Sequence, residues 1–523
     1  MAEITVRQTQ AQARSPWLIA VSVMLATFME VLDTAIVAVA LPYIAGSLSS
    51  TNSEATWVLT SYLIANAVIL PASNWFSLRF GRKRFLVACV LIFTAASFCC
   101  GAAPSLPLML LARIVQGAGG GALQPLSQAI LLESFEPRKR GQAMAVFAFG
   151  VVVAPILGPT LGGWLTDTFS WRYAFYINIP VGILAAFMIT RFIHDPPYIK
   201  DAKPGKFDNL GFGLLIVWTG CMQIVLDKGQ EDDWFGATWV RWATVTAVVT
   251  LLSWIVYSCR ARKPLVNLRI VSDRNFAVGC LLMTLFGVAV YSMVTVLPLF
   301  YQELLGYTAF TAGIVVFPRG VGAILGMPVI AFLSNRVDTR YLLTFGFIIF
   351  GITSLMFGKV NLSVGPSTLL WPIIVTGFAL SFVFVPITTQ AYSNLQNEQI
   401  GNASGIFNLV RNIGGSAGIS ISQTLLARRA DLHQNQIAGT VPRSQPWLQM
   451  QTSRLNAALA HSSNAANALP QSRGFLYRSL GHQALLWAYV DVFRWTSILC
   501  FFCVFLVWLF AKVKNAKAPA GVH

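Results

Sequence analysis

The chain has 523 residues, 55% of them hydrophobic and only 11% charged, and its net charge is +17. A soluble fold of this size cannot hide so much apolar surface, which excludes a water-soluble enzyme and leaves a polytopic all-α membrane protein. The positive charge does not point to nucleic acid, because the basic residues sit in short runs between apolar stretches, as in Arg82-Lys83-Arg84 and Arg138-Lys139-Arg140.

Apolar stretches of about 18–25 residues fit a hydrocarbon core of roughly 30 Å. In chain order fourteen are read, at 17–41, 56–77, 85–103, 107–132, 142–165, 174–193, 209–226, 239–257, 276–299, 311–333, 341–358, 369–390, 403–427 and 489–511. The first is too long for a signal-peptide core and lacks a small-residue cleavage site, so it is expected to stay as a span. The cysteines lie in or beside apolar runs and read as small packing residues, Cys500-x-x-Cys503 included. No metal site is predicted.

An even number of spans puts both termini on one side. With that side cytoplasmic, the inner loops carry Arg79 to Arg84, Arg138 to Arg140, Lys200 to Lys206, Arg260 to Lys263, Arg336 and Arg340, and Lys512 to Lys517. The outer loops hold few basic residues, and one is acidic at Glu231, Asp232 and Asp233. This is positive-inside patterning.

The chain also repeats itself. Leu41-Pro42 recurs as Leu297-Pro298, an offset of 256, and Ser77-x-Arg79 recurs as Ser334-x-Arg336, an offset of 257. Gly141-x-Ala143-x-x-x-Phe147 recurs as Gly401-x-Ala403-x-x-x-Phe407, an offset of 260. The order and near-constant offset map spans one to six onto spans nine to fourteen. The expected organisation is an N-terminal six-helix half at 1–193, two inserted helices with flanking loops at 194–274, and a C-terminal six-helix half at 275–523. Two parallel halves related by an axis along the membrane normal place a substrate site between them, near the midplane.

Charges inside spans are costly and need a reason. Glu30 and Asp33 are three residues apart on span one and share a helix face. Asp33 lies eight residues from the outer end of its span, or roughly 12 Å at the helical rise. Arg113 lies six residues from the outer end of span four, which runs the other way; that is roughly 9 Å deep. Asp33 and Arg113 therefore meet if spans one and four are neighbours, with Glu30 one turn deeper. Desolvation raises a carboxylate's proton affinity and a nearby guanidinium lowers it, so a site alternating between the two binds and releases a proton. The alternative is a static ion pair that locks two helices.

Other motifs follow in the chain. Arg79-Phe80-Gly81-Arg82-Lys83-Arg84 reads as a positive-inside cluster, or as a turn at Gly81 whose cations clamp helix ends. Span five carries Ala154-x-x-x-Gly158-Pro159-x-x-Gly162-Gly163, small residues for close helix approach and a proline kink. Arg319 and Arg411 are buried cations that either bind an anionic substrate or neutralise a local carboxylate. Asn66, Gln116 and Gln124 are candidate hydrogen bonders of a cavity, or bonds between helices. The segment 428–482 is polar, long and expected outside, with amphipathic helix possible at Trp447 to Ala460; it is either a surface insertion or a docking surface. No G-x-x-x-x-G-K-[ST] phosphate loop is present, so energy is expected from an ion gradient rather than from a cofactor or ATP, or else transport is passive.

These residues resemble the fourteen-span drug:proton antiporters of the major facilitator superfamily, in the EmrB-like branch, over nearly the whole chain. Leu32-Asp33-Thr34-Ala35-Ile36-Val37 to Ala40-Leu41-Pro42 matches the first-span signature, and Arg113-x-x-Gln116-Gly117 the span-four motif linked to proton transfer. Gly158-Pro159-x-x-Gly162-Gly163 matches the antiporter motif. Trp171-Arg172-Tyr173-x-Phe175-Tyr176-Ile177-Asn178-x-Pro180-x-Gly182 and Phe407-Asn408-x-x-Arg411-Asn412-x-Gly414-Gly415 are characteristic of the branch. The cytoplasmic loop motif departs from the family at Asn74 and Leu78, where Gly and Asp are usual, and the antiporter motif at Ala145 and Ala154.

The resemblance implies proton-driven efflux of hydrophobic or amphipathic toxicants, uncouplers and weak acids across a bacterial inner membrane. It also implies work with a periplasmic membrane-fusion adaptor and an outer-membrane channel. An uptake symporter on the same fold is the second reading.

Overall fold

The computed structural model describes residues 16–136, 139–196, 199, 205–334, 336–362, 365–440, 446–462 and 465–511. Arg138, Lys200, Lys203 and the terminal basic run Lys512 to Lys517 lie outside the described residues.

The first part of the chain forms α1 (Pro16–Ser47), α2 (Trp57–Phe80), α3 (Arg82–Ala102), α4 (Leu106–Gly120), α5 (Leu123–Ser134), α6 (Arg140–Thr168) and α7 (Asn178–Phe192). A break at Gly121 and Ala122 separates α4 from α5, which together make one apolar run from Leu106 to Ser134. The middle part forms α8 (Asn209–Lys228) and α9 (Thr238–Arg260). The last part forms α10 (Arg274–Leu299), α11 (Ala309–Val316), α12 (Pro318–Leu333), α13 (Thr339–Phe357), α14 (Pro366–Ala391), α15 (Asn397–Thr440), α16 (Pro446–Ser462) and α17 (Ala465–Val507).

Among the described residues, twelve helical runs are long and apolar enough to cross a membrane. Helices satisfy their own backbone polar groups, which is what hydrocarbon demands. The expected spans at 56–77 and 403–427 coincide with α2 and α15, which have 24 and 44 residues but fall short of that apolarity. The cause is local: α2 buries Tyr62, Asn66, Ser73 and Ser77, and α15 buries Asn402, Ser404, Asn408 and Arg411 against other helices. Hydropathy counts such residues as hydrated, although they face protein.

Packing partners fall into two groups. In the first, α1 packs on α6 and α7, α3 on α4 and α7, and α2 on α4. In the second, α10 packs on α15, α12 and α13 on α14, and α17 on α13 and α15. The groups meet where α6 lies against α11, α12 and α14, and where α2 and α5 lie against α15. Helix α8 leans on both α2 and α15, and α9 packs on α8 with Trp218 and Trp254 in ring contact at 5.7 Å. The far side of α9 exposes Trp242, Val245, Val249 and Leu252, a surface suited to lipid.

Residues 428–482, read as a loop, are helical wherever they are described. Helix α15 runs on without interruption to Thr440 and α17 begins at Ala465. At 44 and 43 residues each is about 65 Å long, well beyond the roughly 40–45 Å of a whole bilayer. The projecting parts form a hairpin closed by Gln434 to Tyr477 at 2.7 Å and by His433 and Arg429 on Asp491 at 2.9 and 3.7 Å. Polar composition is compatible with helix when opposing side chains pair. Helix α16, which includes the stretch from Trp447 to Ala460, packs on α17.

Candidate functional site

The site begins on α1. Residues three apart differ by about 60° around a helix axis, enough to aim Glu30 and Asp33 at different neighbours. Asp33 is fully buried and faces α4 and α7. Its Oδ2 accepts from Arg113 Nη1 at 2.7 Å, and its Oδ1 accepts from Gln116 Nε2 at 2.9 Å and Asn178 Nδ2 at 2.7 Å.

Arg113 is equally buried. It donates from Nη1 to Gln116 Oε1 at 2.8 Å and from Nε to the Val58 carbonyl at 2.9 Å. Its guanidinium carbon lies 4.5 Å from the Tyr62 ring centroid and 5.5 Å from that of Phe175, so π faces cover much of the remaining cation. A buried pair survives desolvation only when further hydrogen bonds satisfy it, and here all of them come from the first packing group.

Glu30 faces the seam between the two groups. Its Oε1 accepts from Asn66 Nδ2 at 3.1 Å and from the Tyr62 hydroxyl at 3.3 Å, and its Oε2 accepts from Gln124 Nε2. The partners reach across the seam: Arg411 Nη2 donates to Gln124 Oε1, and Asn412 Nδ2 donates to Asn66 Oδ1 at 3.3 Å. Two relays thus join Glu30 to α15. Beside them Asn408 and the Tyr392 hydroxyl donate to Gln128 Oε1 at 2.8 and 3.2 Å, and Ser404 donates to the Pro125 carbonyl at 2.9 Å.

Glycines on α4 and at the break that follows it make this geometry reachable. A Cβ on Gly117 would meet the Tyr62 carbonyl at 2.4 Å, and one at Gly121 the Asn66 carbonyl at 2.5 Å. Only glycine lets α4 come this close to α2, which brings Tyr62 and Asn66 to Glu30.

Arg319 on α12 joins none of these bonds. It lines a cavity of about 50 Å³ on the seam, together with Arg411, Tyr291, Phe286, Phe384 and Val151. Asn66, Gln116 and Gln124 serve as hydrogen-bond partners of the two carboxylates and do not line that cavity.

In the loop motif, Gly81 has φ of +85°, which makes the turn between α2 and α3, and a Cβ there would meet Asp195 Oδ2 at 2.8 Å. Arg82 is buried and pairs with Glu133 at 2.5 Å, and the Lys83 amide donates to Asp195 at 2.7 Å. Arg79 is exposed. The expected clamp on helix ends therefore differs in form: a carboxylate on α5 holds Arg82. Asn74, where the family usually has Gly, stands against Gly401 at the start of α15.

The small residues of α6 divide between two surfaces. A Cβ on Gly158 would meet Ala35 Cβ at 2.2 Å, and one on Gly162 the Ile36 carbonyl at 3.1 Å, both on α1. Ala154 is buried in the same cluster with Ile36 and Val37. Gly163 instead faces Phe310 on α11, and Pro159 with Thr160 faces Gly313. The motif thus packs α6 against the helix bearing both carboxylates and also against the other group.

Tyr62, Asn178, Gln128 and Asn408 did not stand out as site residues. Spacing finds two of them, because Tyr62–Asn66 and Gln124–Gln128 are polar pairs four apart in otherwise apolar runs, one above the other on a helix face; Asn178 and Asn408 lie in the two branch motifs.

The sequence profile of the Major Facilitator Superfamily matches residues 23–419. The chain is 34% identical over 504 residues to the multidrug export protein EmrB of Escherichia coli K12, covering 96% of this chain and 95% of that one. It is 34% identical over 491 residues to the fatty acid resistance protein FarB of Neisseria gonorrhoeae, covering 94% and 95%. The solved proton:xylose symporter XylE superposes with a TM-score of 0.57 at 14% identity, covering 94% of this chain and 96% of that one, which speaks for the fold alone. The chain is therefore a multi-pass member of the Major Facilitator Superfamily, a transporter rather than an enzyme, and within it belongs with the relatives of EmrB.

Proposed function

We propose that this protein exports hydrophobic or amphipathic toxic compounds by alternating access, driven by protons moving inward. Export itself follows from relatives named for multidrug export and fatty acid resistance. The observation that carries proton coupling is the pair of buried carboxylates on one helix with different surroundings. Asp33 is held wholly inside the first packing group, whereas the hydrogen bonds of Glu30 extend across the seam.

Parting the two groups breaks the relays through Gln124 and Asn66, so the proton affinity of Glu30 depends on conformation. Asp33 with Arg113 lies one turn away, linked through Tyr62, which touches both carboxylate networks. A pocket for a drug-sized ligand measures roughly 300–1,000 Å³, so the seam cavity of about 50 Å³ must widen to take such a ligand.

The architecture we infer has fourteen spans in a 6+2+6 arrangement, with halves at 1–193 and 275–523 around the insertion at 194–274. Helices α2 and α15 supply the two less apolar spans. We place it in a bacterial inner membrane with both termini cytoplasmic, on the distribution of basic residues. The helical hairpin within 428–482 then projects into the periplasm, where it is available to a membrane-fusion adaptor serving an outer-membrane channel. Protons and small amphipathic substrates are the other partners.

The test is transport in proteoliposomes of inverted orientation under an imposed pH gradient, with lipophilic dyes and weak acids. Gradient-dependent uptake that disappears with Asp33→Asn or Glu30→Gln is expected. Full-rate uptake by both variants would remove the carboxylates from coupling, and movement with the proton gradient rather than against it would favour a symporter.

A further inference from the structure

The inserted helix pair brings a third carboxylate to the seam. Asp227, in the last turn of α8, is half-buried and joins no ion pair among the described residues. It bonds to Thr60 Oγ1 on α2, which also lies 3.2 Å from the Thr56 carbonyl. A hydroxyl carries one hydrogen and cannot serve both acceptors. A protonated Asp227 completes the set, because the carboxyl then donates to Thr60 and Thr60 donates to the carbonyl. The charged groups beside it, Lys228 and Glu231, pair with each other at 2.8 Å, and Lys228 also donates to Thr56 Oγ1. Neither α2 nor α15 sets a charged group against Asp227.

Asp227 stands at the head of a polar file. Gln223 is one turn deeper on the same face of α8. It donates to Ser416 Oγ on α15 at 2.9 Å and accepts from it at 3.0 Å. Asn412, Ser416, Ser420 and Thr424 follow at four-residue steps along one face of α15. Thr424 accepts from Trp234 Nε1 at 3.1 Å at the outer end, and Asn412 donates to Asn66 deeper in. Ser420, between them, is buried and its hydroxyl meets no protein partner. Asn66 in turn donates to Glu30. It lies six residues below Thr60 on α2, or roughly 9 Å. Polar groups inside a membrane bundle mark ion and proton pathways, and hydroxyls and amides in file are the partners that water needs to enter.

From this we infer that Asp227 is the outer proton acceptor of the transport cycle, and that the seam between α2, α8 and α15 carries its proton to Glu30. The inference rests on the proton-driven export proposed above and names the entry route to that site. As α8 parts from α15, the bonds of Gln223 to Ser416 and of Trp234 to Thr424 break, and outer water reaches Asp227 first. The Asp227 carboxylate takes one proton from that water. It then yields the proton along the file to the Glu30 carboxylate and is ionised again, so one proton enters and one carboxyl group is neutralised.

Asp227→Asn keeps a side chain that bonds to Thr60 and removes only the titrating group. Infrared difference spectra of the purified full-length chain, between acidic and alkaline buffer and without substrate, read the carboxyl directly. A protonated-carboxyl band that fades on alkalinisation is expected, weaker in Asp227→Asn and regained at a shifted frequency in Asp227→Glu. Transport is read with rhodamine 6G in inverted proteoliposomes, at a fixed pH difference and varied lumenal pH. Near neutral lumenal pH, Asp227→Asn is expected to slow uptake about tenfold or more. The deficit is expected to shrink as the lumen is acidified, and Asp227→Glu to recover most of the rate.

A band identical in wild type and Asp227→Asn overturns the inference whatever the transport result. So does a loss of rate by one factor at every lumenal pH with a lowered unfolding temperature, which makes Asp227 an anchor of α8. Wild-type vesicles that move no dye with the gradient count against the export reading, and the infrared result, taken without gradient or substrate, is separate from it.

Discussion

At the scale of single residues, the Asp33–Arg113 pair invites a distinction between a lock and a coupling element. Removing one member of a buried ion pair strands the other, at about 3–5 kcal/mol. Arg113→Gln alone is therefore expected to unfold well below wild type, and Asp33→Asn likewise. The double variant Asp33→Asn with Arg113→Gln removes both charges and is expected to recover much of that stability while transport stays at background. Recovered transport in the double variant would make the pair a structural lock. Tyr62 offers a second test, because one side chain serves two networks through different atoms. Tyr62→Phe keeps the ring on Arg113 and loses the hydroxyl, with its bond to Glu30. Tyr62→Ala loses both, and is expected to be less stable than Tyr62→Phe by at least about 2 kcal/mol of lost packing and cation–π contact. Equal unfolding temperatures would remove the ring from the account.

At the scale of elements, the contact of α6 with α1 is set by Gly158. Its neighbour is Ala35, which lies two residues from Asp33, and the two positions leave no room for another methyl group. Gly158→Ala is expected to cost about 1–3 kcal/mol as an overpacked contact and to shift α1 with both carboxylates. Adding Ala35→Gly removes the clashing methyl and is expected to restore most of the loss, measured by thermal unfolding and by transport in parallel. Lack of rescue would place the cost elsewhere on α6. Arg172 illustrates another local device. It donates to the carbonyls of Gly101 and Ala103 at 2.7 and 2.9 Å and stacks on Trp171 at 4.4 Å, closing the C-terminal end of α3. This part of the branch motif serves helix termination, while six residues on Asn178 serves Asp33.

At the scale of the whole molecule, alternating access requires that contacts between the two packing groups break in turn. Thr160 on α6 and Gly313 on α11 are such a contact, with a Cβ on Gly313 placed 2.9 Å from Thr160 Oγ1. In a chain whose eight free cysteines are replaced by alanine, Thr160→Cys with Gly313→Cys is expected to crosslink on oxidation. The crosslinked protein is expected to stop transporting and to resume on reduction. Transport that continues with the bond formed would mean that this contact persists through the cycle. The bridging position of α8 bears on the same question. It bonds to α15 through Gln223 and Ser416 at 2.9 Å and to α2 through Thr60 and Asp227, so the inserted pair moves with one side or yields at the other.

Composition and pattern alone determined the broad class, because an 11% charged chain with repeated long apolar runs has no soluble solution. They also singled out Glu30, Asp33 and Arg113, since a charge in an apolar run is conspicuous wherever it folds. Depth counting from span ends brought Asp33 level with Arg113, a one-dimensional quantity that a helical rise of 1.5 Å supplies. What lies around a helix axis is another matter. That Glu30 and Asp33 serve separate networks depends on which helices flank α1, and no periodicity in α1 encodes its neighbours. Beyond Trp447 to Ala460, where amphipathic helix was legible, the helices described within 428–482 were hidden for a related reason: their polar residues read as a solvated loop, whereas pairings such as His433 with Asp491 hold them together. The unfilled donors of Arg319 and Arg411 are likewise visible only once the two groups are packed, because whether a buried cation has a partner is decided by residues hundreds of positions away.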